Sequence, residues 1–352
     1  VSSTTASASG PVTVNVANDA NRQNALALLS SNFYGSTINT SGTAGSGQLY
    51  NGAFTTHNTL TAGTGSTTVV MKRPDGKFIL IAGNATANAQ VYDETTQTFT
   101  ANGTTPTVAL GMGGFAFKRP DGKFLIVMGN STATTNVYDP VANTFVVGPS
   151  LSASAGIGAL AIPTPNGRVV IVHGNLTNTT SVYDPVNNSM MTGTTTLTVV
   201  GPGSMAIPRP DGTYLFVPGM SAYPVCSTPV TTTQIFNPYT IMFRANGPTN
   251  TGGTGPGAFA FQRKDGQWII IRGGATATTC AGVTGSGVYN PIDNQITTTG
   301  PTVATAPGMG AFAMPRPDGS WLVTSGGNPA TGAGQTATAI YLENSGALTA
   351  TG

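Results

Sequence analysis

The sequence predicts an all-β chain built as a β-propeller of four-stranded blades. Three observations carry that prediction. A turn phrase, Arg-Pro-Asp-Gly in its commonest form, recurs six times, with its Asp or Asn positions spaced by 46, 45, 45, 54 and 53 residues. Between recurrences lie short apolar runs without a helical period. A repeat of about 45 residues with no helix is the size of one four-stranded blade.

The elements of each unit follow in order. A Gly-x-Gly opens it, at Gly63/Gly65, Gly111/Gly113, Gly156/Gly158, Gly201/Gly203, Gly255/Gly257 and Gly308/Gly310. No helix pattern follows these glycines, so they are not a phosphate cradle. Close backbone approach or a tight entry turn explains them. A short first strand comes next, such as Phe115-Ala116-Phe117 or Phe259-Ala260-Phe261. The recurring turn follows, as in Pro74-Asp75-Gly76 or Pro120-Asp121-Gly122, with Asn166 and Lys264 as local variants. Proline presets φ, Asp suits the next position and glycine takes the left-handed one. The second strand is fully apolar, as in Phe124-Leu125-Ile126-Val127 and Trp268-Ile269-Ile270-Ile271, and ends at a glycine. A loop of Thr, Ala and Asn leads to a third strand centred on Tyr92, Tyr138, Tyr183, Phe236, Tyr289 or Tyr341. A turn such as Asp139-Pro140 or Asn290-Pro291 starts the fourth strand.

These features resemble the kelch-type β-propeller, the fold also found in galactose-oxidase-like proteins. The glycine-rich end of strand two, the aromatic on strand three and the period carry the resemblance, over residues 47–352. It implies a fold and no particular function. One departure is plain. The fourth-strand tryptophan of the kelch pattern is absent, and Phe99, Phe145, Met190, Phe243, Ile296 and Leu348 stand in that region. Blade packing is expected to be lighter for it. A galactose-oxidase-like copper site would need paired histidines and a tyrosine crosslinked to cysteine. The chain offers no such set, so that activity is not carried over.

Six complete units span about 63–352, and half of another precedes them. Gln48-Leu49-Tyr50-Asn51-Gly52 resembles strand three with its turn, and Ala53 to Thr61 resembles strand four. Seven blades are therefore favoured, with six blades and an extra hairpin as the alternative. Residues 1–46 form an irregular extension. Within it Val12, Thr13, Val14, Asn15 and Val16 alternate as a strand does. Asp19 suits the N-cap of a short helix over Ala20–Leu29. The strand is read either as a strap closing its own ring or as a strand donated to a neighbouring copy.

Charge is scarce. Charged residues are 7% of the chain, against about a quarter in ordinary domains. With 14 basic and 12 acidic residues the net charge is only +2, which argues against nucleic acid as a partner. No apolar run reaches the roughly 20 residues of a membrane span. Most of the charges flank the first and third turns, which share one rim of an up-and-down blade. Local turn chemistry with weak ion pairs explains that rim; a ligand-binding or docking ring is the other reading. The opposite rim is nearly uncharged. It could hold a glycan through hydroxyl and amide contacts, though its loops offer only Tyr223 as an aromatic; it could equally pack against another copy of the chain without desolvating an ion, or be a passive glycosylated surface.

No residue set points to catalysis, a cofactor or a metal. The carboxylates repeat with the blades and so look architectural. His57 and His173 fall on different blades, and neither has an evident acid–base partner. The expectation is a chain that is not an enzyme. Cys226 and Cys280 each lie seven residues after the glycine that ends strand two, in consecutive blades. An intrachain disulfide between them is expected, and with it an oxidising compartment. Sequons at Asn39, Asn84, Asn102, Asn130, Asn175, Asn178 and Asn187 agree with an extracellular location. The function expected from these features is structural, a self-associating subunit of a filament, sheath or surface layer. A secreted glycan-binding propeller is the alternative, and an enzyme with an unrecognised site is third.

Overall fold

The computed structural model describes residues 46–50, 54–59, 67–83, 86–93, 95–96, 98–223, 229–274, 282–316, 318–326 and 337–350. Six four-stranded antiparallel sheets follow one another along the chain, at 69–101, 115–147, 160–192, 205–244, 259–297 and 312–350. They are numbered here as blades one to six. In each blade the strands pair in sequence order, so every connection is a hairpin. The first strands of neighbouring blades touch, as Val69–Lys72 does Phe115–Lys118 and Phe259–Gln262 does Phe312–Pro315. They therefore form the inner ring, and the fourth strands form the outer edge.

The half-unit at the N-terminus is a two-stranded hairpin, Ser46–Tyr50 with Phe54–Thr59, and its second strand lies against the outer strand Thr98–Ala101 of blade one. The described structure thus has six blades rather than the seven favoured by the sequence. Strand three and strand four of the extra unit are present as expected, but no first or second strand joins them among the described residues. The alternating strand 12–16 and the helix expected over 20–29 lie outside the described residues.

The apolar second strands are explained by where the core sits. Five hydrophobic clusters are each shared by two neighbouring blades. Leu125 and Val127 of blade two pack with Ile171 and Tyr183 of blade three, while Phe124 and Ile126 face blade one with Ile79 and Ile81. Alternate residues of one strand thus enter different interfaces, and neither face of the strand meets water. The Gly-x-Gly pairs close the contact near the axis. Gly158 has φ +84°, and a Cβ there would overlap the backbone of Gly201, the first glycine of the next pair. Gly113 meets Gly156 and Gly257 meets Gly308 in the same way.

The aromatic of strand three stands directly opposite the residue that replaces the kelch tryptophan. Tyr138 pairs with Phe145, Tyr183 with Met190, Phe236 with Phe243 and Tyr289 with Ile296. Ring centroids are 4.6 Å apart for Tyr138 and Phe145, and 4.7 Å for Phe236 and Phe243. Such cross-strand pairs contribute about 0.2–1 kcal/mol each.

Candidate functional site

Two kinds of turn build one rim. In the first, the Asp side chain accepts the backbone N–H two residues on: Asp121 from Lys123 at 3.1 Å, Asp211 from Thr213 at 2.9 Å and Asp318 from Ser320 at 2.9 Å. The preceding arginine turns back on the same carboxylate, with Arg73–Asp75 at 2.9 Å, Arg119–Asp121 at 2.8 Å and Arg263–Asp265 at 2.9 Å. In the second, Asp93, Asp139 and Asp184 cap the turn from strand three to strand four and meet a cation of the first turn. Lys77–Asp93 spans 2.9 Å, Lys123–Asp139 3.0 Å and Arg168–Asp184 3.5 Å. Both turns therefore share a rim, as the up-and-down order requires. The Lys77 ammonium and the Thr95 N–H hold the Asp93 carboxyl below its ordinary range. The Ala142 N–H and the Lys123 ammonium do the same for Asp139. Among the described residues, eight carboxylates are committed to ion pairs in this way, which fits local turn chemistry.

The turn arginines also reach the next blade. Arg119 of blade two donates to Asn188 Oδ1 of blade three at 2.8 Å, and its guanidinium carbon stands 5.9 Å from the Tyr183 ring centre. The Tyr183 hydroxyl donates to the same Asn188 oxygen at 2.9 Å. Burial pushes the hydroxyls of Tyr138, Tyr183 and Tyr289 up, opposed by Arg73, Arg119 and Arg209 of the preceding blades. Asn143, Asn188 and Asn294 have φ between 47° and 55°, a left-handed turn that asparagine tolerates.

The same rim carries two features that sequence reasoning missed. Val141, Val186, Tyr239 and Ile292 sit at the same position of the second turn in blades two to five, and are 81%, 88%, 68% and 80% exposed. Inside the rim is a cavity of about 350 Å³, lined by the first strands of blades four, five and six and by Trp268 and Trp321. These are the only tryptophans of the chain. They open strand two in consecutive blades, at the same 53-residue interval as Asp265 and Asp318. That interval was the available signal; read only as apolar strand residues, they gave no hint of a cavity.

The predicted site residues are placed as follows. His173 is fully buried at the end of strand two. Its Nδ1 and Nε2 each stand 2.8 Å from a hydroxyl, of Thr179 and Ser181. Burial pushes its pKa down to about 4. His57 lies in the N-terminal hairpin strand Phe54–Thr59. Among the sequons, Asn130, Asn178 and Asn187 are exposed and Asn175 half-buried. Asn102 is buried, and its amide nitrogen donates to the Thr104 carbonyl at 2.8 Å. Cys226, Cys280, Asn39, Asn84 and the strand from Val12 to Val16 lie outside the described residues.

A copper centre does not fit the described residues. No three His, Cys, Asp or Glu side chains gather among them, and both nitrogens of His173 are already engaged by hydroxyls.

No protein-family model matches the chain, and no curated protein matches it. Solved structures do. A fungal alcohol oxidase of the AA5 family, in complex with copper, superposes with a TM-score of 0.59 at 17% identity, over 78% of this chain and 60% of that one. YjhT superposes with a TM-score of 0.52 at 11% identity, over 81% of this chain and 96% of its own. The extracellular domain of BT4673 from B. thetaiotaomicron gives 0.50 at 11% identity, over 80% and 35%. The chain thus spans about three-fifths of the oxidase. One expectation is corrected here. The chain was expected not to be an enzyme, but its fold is shared with an alcohol oxidase, so an enzyme is no longer set aside. What the likeness establishes is architecture: the chain has the kelch-type, galactose-oxidase-like propeller fold, in six described blades.

Proposed function

We propose that the chain is a subunit of an extracellular assembly built from copies of itself, such as a filament, sheath or surface layer. The observation that carries this reading is the arc of apolar tips on blades two to five. A single exposed apolar residue is ordinary. Val141, Val186, Tyr239 and Ile292 recur at one position on one rim, one to a blade, and this recurrence supports a contact surface made of spaced apolar tips. The charges beside them are already paired within the chain, so covering the rim strands few ions. In this reading residues Val12 to Val16 supply a strand donated between copies, and Cys226 and Cys280 a disulfide suited to an oxidising compartment. The exposed sequons at Asn130, Asn178 and Asn187 support the extracellular setting. The test is sedimentation velocity over a concentration series, with a Val186→Lys/Ile292→Lys variant beside the natural chain. Association by the natural chain, lost in the variant at unchanged thermal midpoint, is expected. A natural chain that stays monomeric throughout defeats the proposal and leaves the alternative of a monomeric glycan-binding propeller.

A further inference from the structure

We propose that the junction of blades six and one is a docking slot for residues Val12 to Val16 of a second copy of the chain. Seating a donated strand there rests on the reading that copies associate. A ring of six blades has six junctions, and buried apolar clusters fill five of them, from blades one and two round to blades five and six. Among the described residues no cluster joins blade six to blade one.

The face that blade one turns to this junction is uncovered. The second residue of strand one faces the preceding blade. In blades two, three, four and six it is Ala116, Ala161, Ala206 or Ala313, each at most 6% exposed. In blade one it is Val70, which is larger and 47% exposed. The third residue of strand two faces the same way. Ile126, Ile171, Phe216, Ile270 and Val323 hold that position and are at most 3% exposed, whereas Leu80 of blade one is only half-buried.

An open strand edge lies against the same blade. Strand three of each blade is paired on both sides, but among the described residues Ser46–Tyr50 pairs only with Phe54–Thr59, which rests on the outer strand of blade one. Such an edge takes up a further strand through main-chain hydrogen bonds. An extended Val12–Val16 has three valines on one face and Thr13 and Asn15 on the other. Paired to the open edge, it turns the valines onto Val70 and Leu80. The single chain leaves Val70 bare, which assigns the strand to another copy. Residues 17–45, between the segment and the hairpin, span up to roughly 100 Å when extended, enough to reach a neighbour.

The test uses full-length chains. Val14→Cys and Val70→Cys variants are mixed under mild oxidation, with Val12→Cys and Val16→Cys as alternatives to the first. Val70 is exposed, so its variant should keep the natural thermal midpoint. Peptide mass mapping should find a disulfide from residue 14, 12 or 16 of one chain to residue 70 of another. Thr13→Cys, on the opposite face of the strand, should not form it. No such bond from any of the three valine positions overturns the proposal, and so does an equal yield from Thr13→Cys. A bond formed within one chain of a Val14→Cys/Val70→Cys double variant, with none in the mixture, also overturns it and makes the segment a strap on its own ring. Sedimentation of the natural chain reports association by itself, so a chain that associates without these bonds defeats the slot and leaves the assembly standing.

Discussion

Arg209 of blade four donates to the hydroxyl of Tyr289 in blade five at 3.0 Å, and Asn294 accepts from the same arginine. Two neighbouring blades are thereby latched through a tyrosine whose ring is fully buried. In blade six the asparagine is replaced by Gly346, and the buried Tyr341 hydroxyl has no partner among the described residues. The same substitution should then act in opposite senses. Tyr289→Phe removes a satisfied hydroxyl and should cost about 1 kcal/mol. Tyr341→Phe removes an unsatisfied one and should be neutral or stabilising. Denaturant midpoints of the two variants measured side by side decide it. Equal destabilisation would show that the hydroxyl of Tyr341 is satisfied in solution.

The junction of blades three and four lacks the latch altogether. Thr164 stands in place of the arginine, Phe236 in place of the tyrosine and Ile241 in place of the asparagine. Ile241 has φ 55°, costly for a β-branched side chain, and it packs against the cluster that holds Phe236 and Phe243. The three replacements occur together because each polar member needs the others. Phe236→Tyr should therefore destabilise by about 1–3 kcal/mol, although tyrosine is the residue of the other five blades. Adding Ile241→Asn supplies an acceptor and a residue tolerant of the left-handed turn, and should recover most of the loss. Additive effects of the two changes would show that they do not interact.

Much of this architecture was legible because its determinants are local. The Pro-Asp-Gly turn, the glycine after strand two and the aromatic of strand three lie within one repeat, and their spacing sets the strand order. The Tyr138–Phe145 pair is seven residues apart in sequence. The latch was not legible, since Arg209 and Asn294 are 85 residues apart. A signal was present in the joint change at Thr164, Phe236 and Ile241, but it appears only after the blades are aligned. The cavity was missed for a related reason. Trp268 and Trp321 read as strand residues until three inner strands bring them round a common space. The number of blades was not legible, because a half-repeat such as 48–61 fixes a hairpin and not the two strands that would complete a seventh blade.

His173 gives the fold a specific weakness toward acid. Burial lowers its pKa from 6.5 to about 4 in the folded chain, and its unfolded value is the ordinary one. The unfolded state therefore binds the proton more readily. Stability from this group is full above pH 6.5 and is lost as pH falls from 6.5 toward 4, by up to about 3 kcal/mol. The turn carboxylates lose their pairing only at lower pH, since theirs are lowered from 3.8. His173→Gln keeps a polar side chain and removes the titration. Its stability should change less than that of the natural chain between pH 6.5 and 4. Parallel pH curves for the two proteins would place the acid sensitivity elsewhere.

The apolar tips and the segment from Val12 to Val16 offer two different links between copies, and deletion separates them. A short alternating strand can join the exposed edge of another chain's sheet, and every blade here ends in an outer strand such as Thr144–Val147 or Ser189–Thr192. If the segment is donated in this way, removing residues 1–18 leaves a folded propeller that no longer forms long assemblies. If it straps its own ring, the same deletion lowers the thermal midpoint of the monomer. The tips act differently. Lysine at Val186 and Ile292 places charge on two exposed turns and touches no buried contact, so folding is spared while rim association is blocked. The two variants together give distinct patterns in size-exclusion chromatography and negative-stain microscopy. Loss of assembly in both shows that each link is needed. Assemblies of normal length without residues 1–18, abolished by the lysine pair, assign the contact to the rim of the apolar tips, because the lysine pair changes only exposed turn residues of that rim.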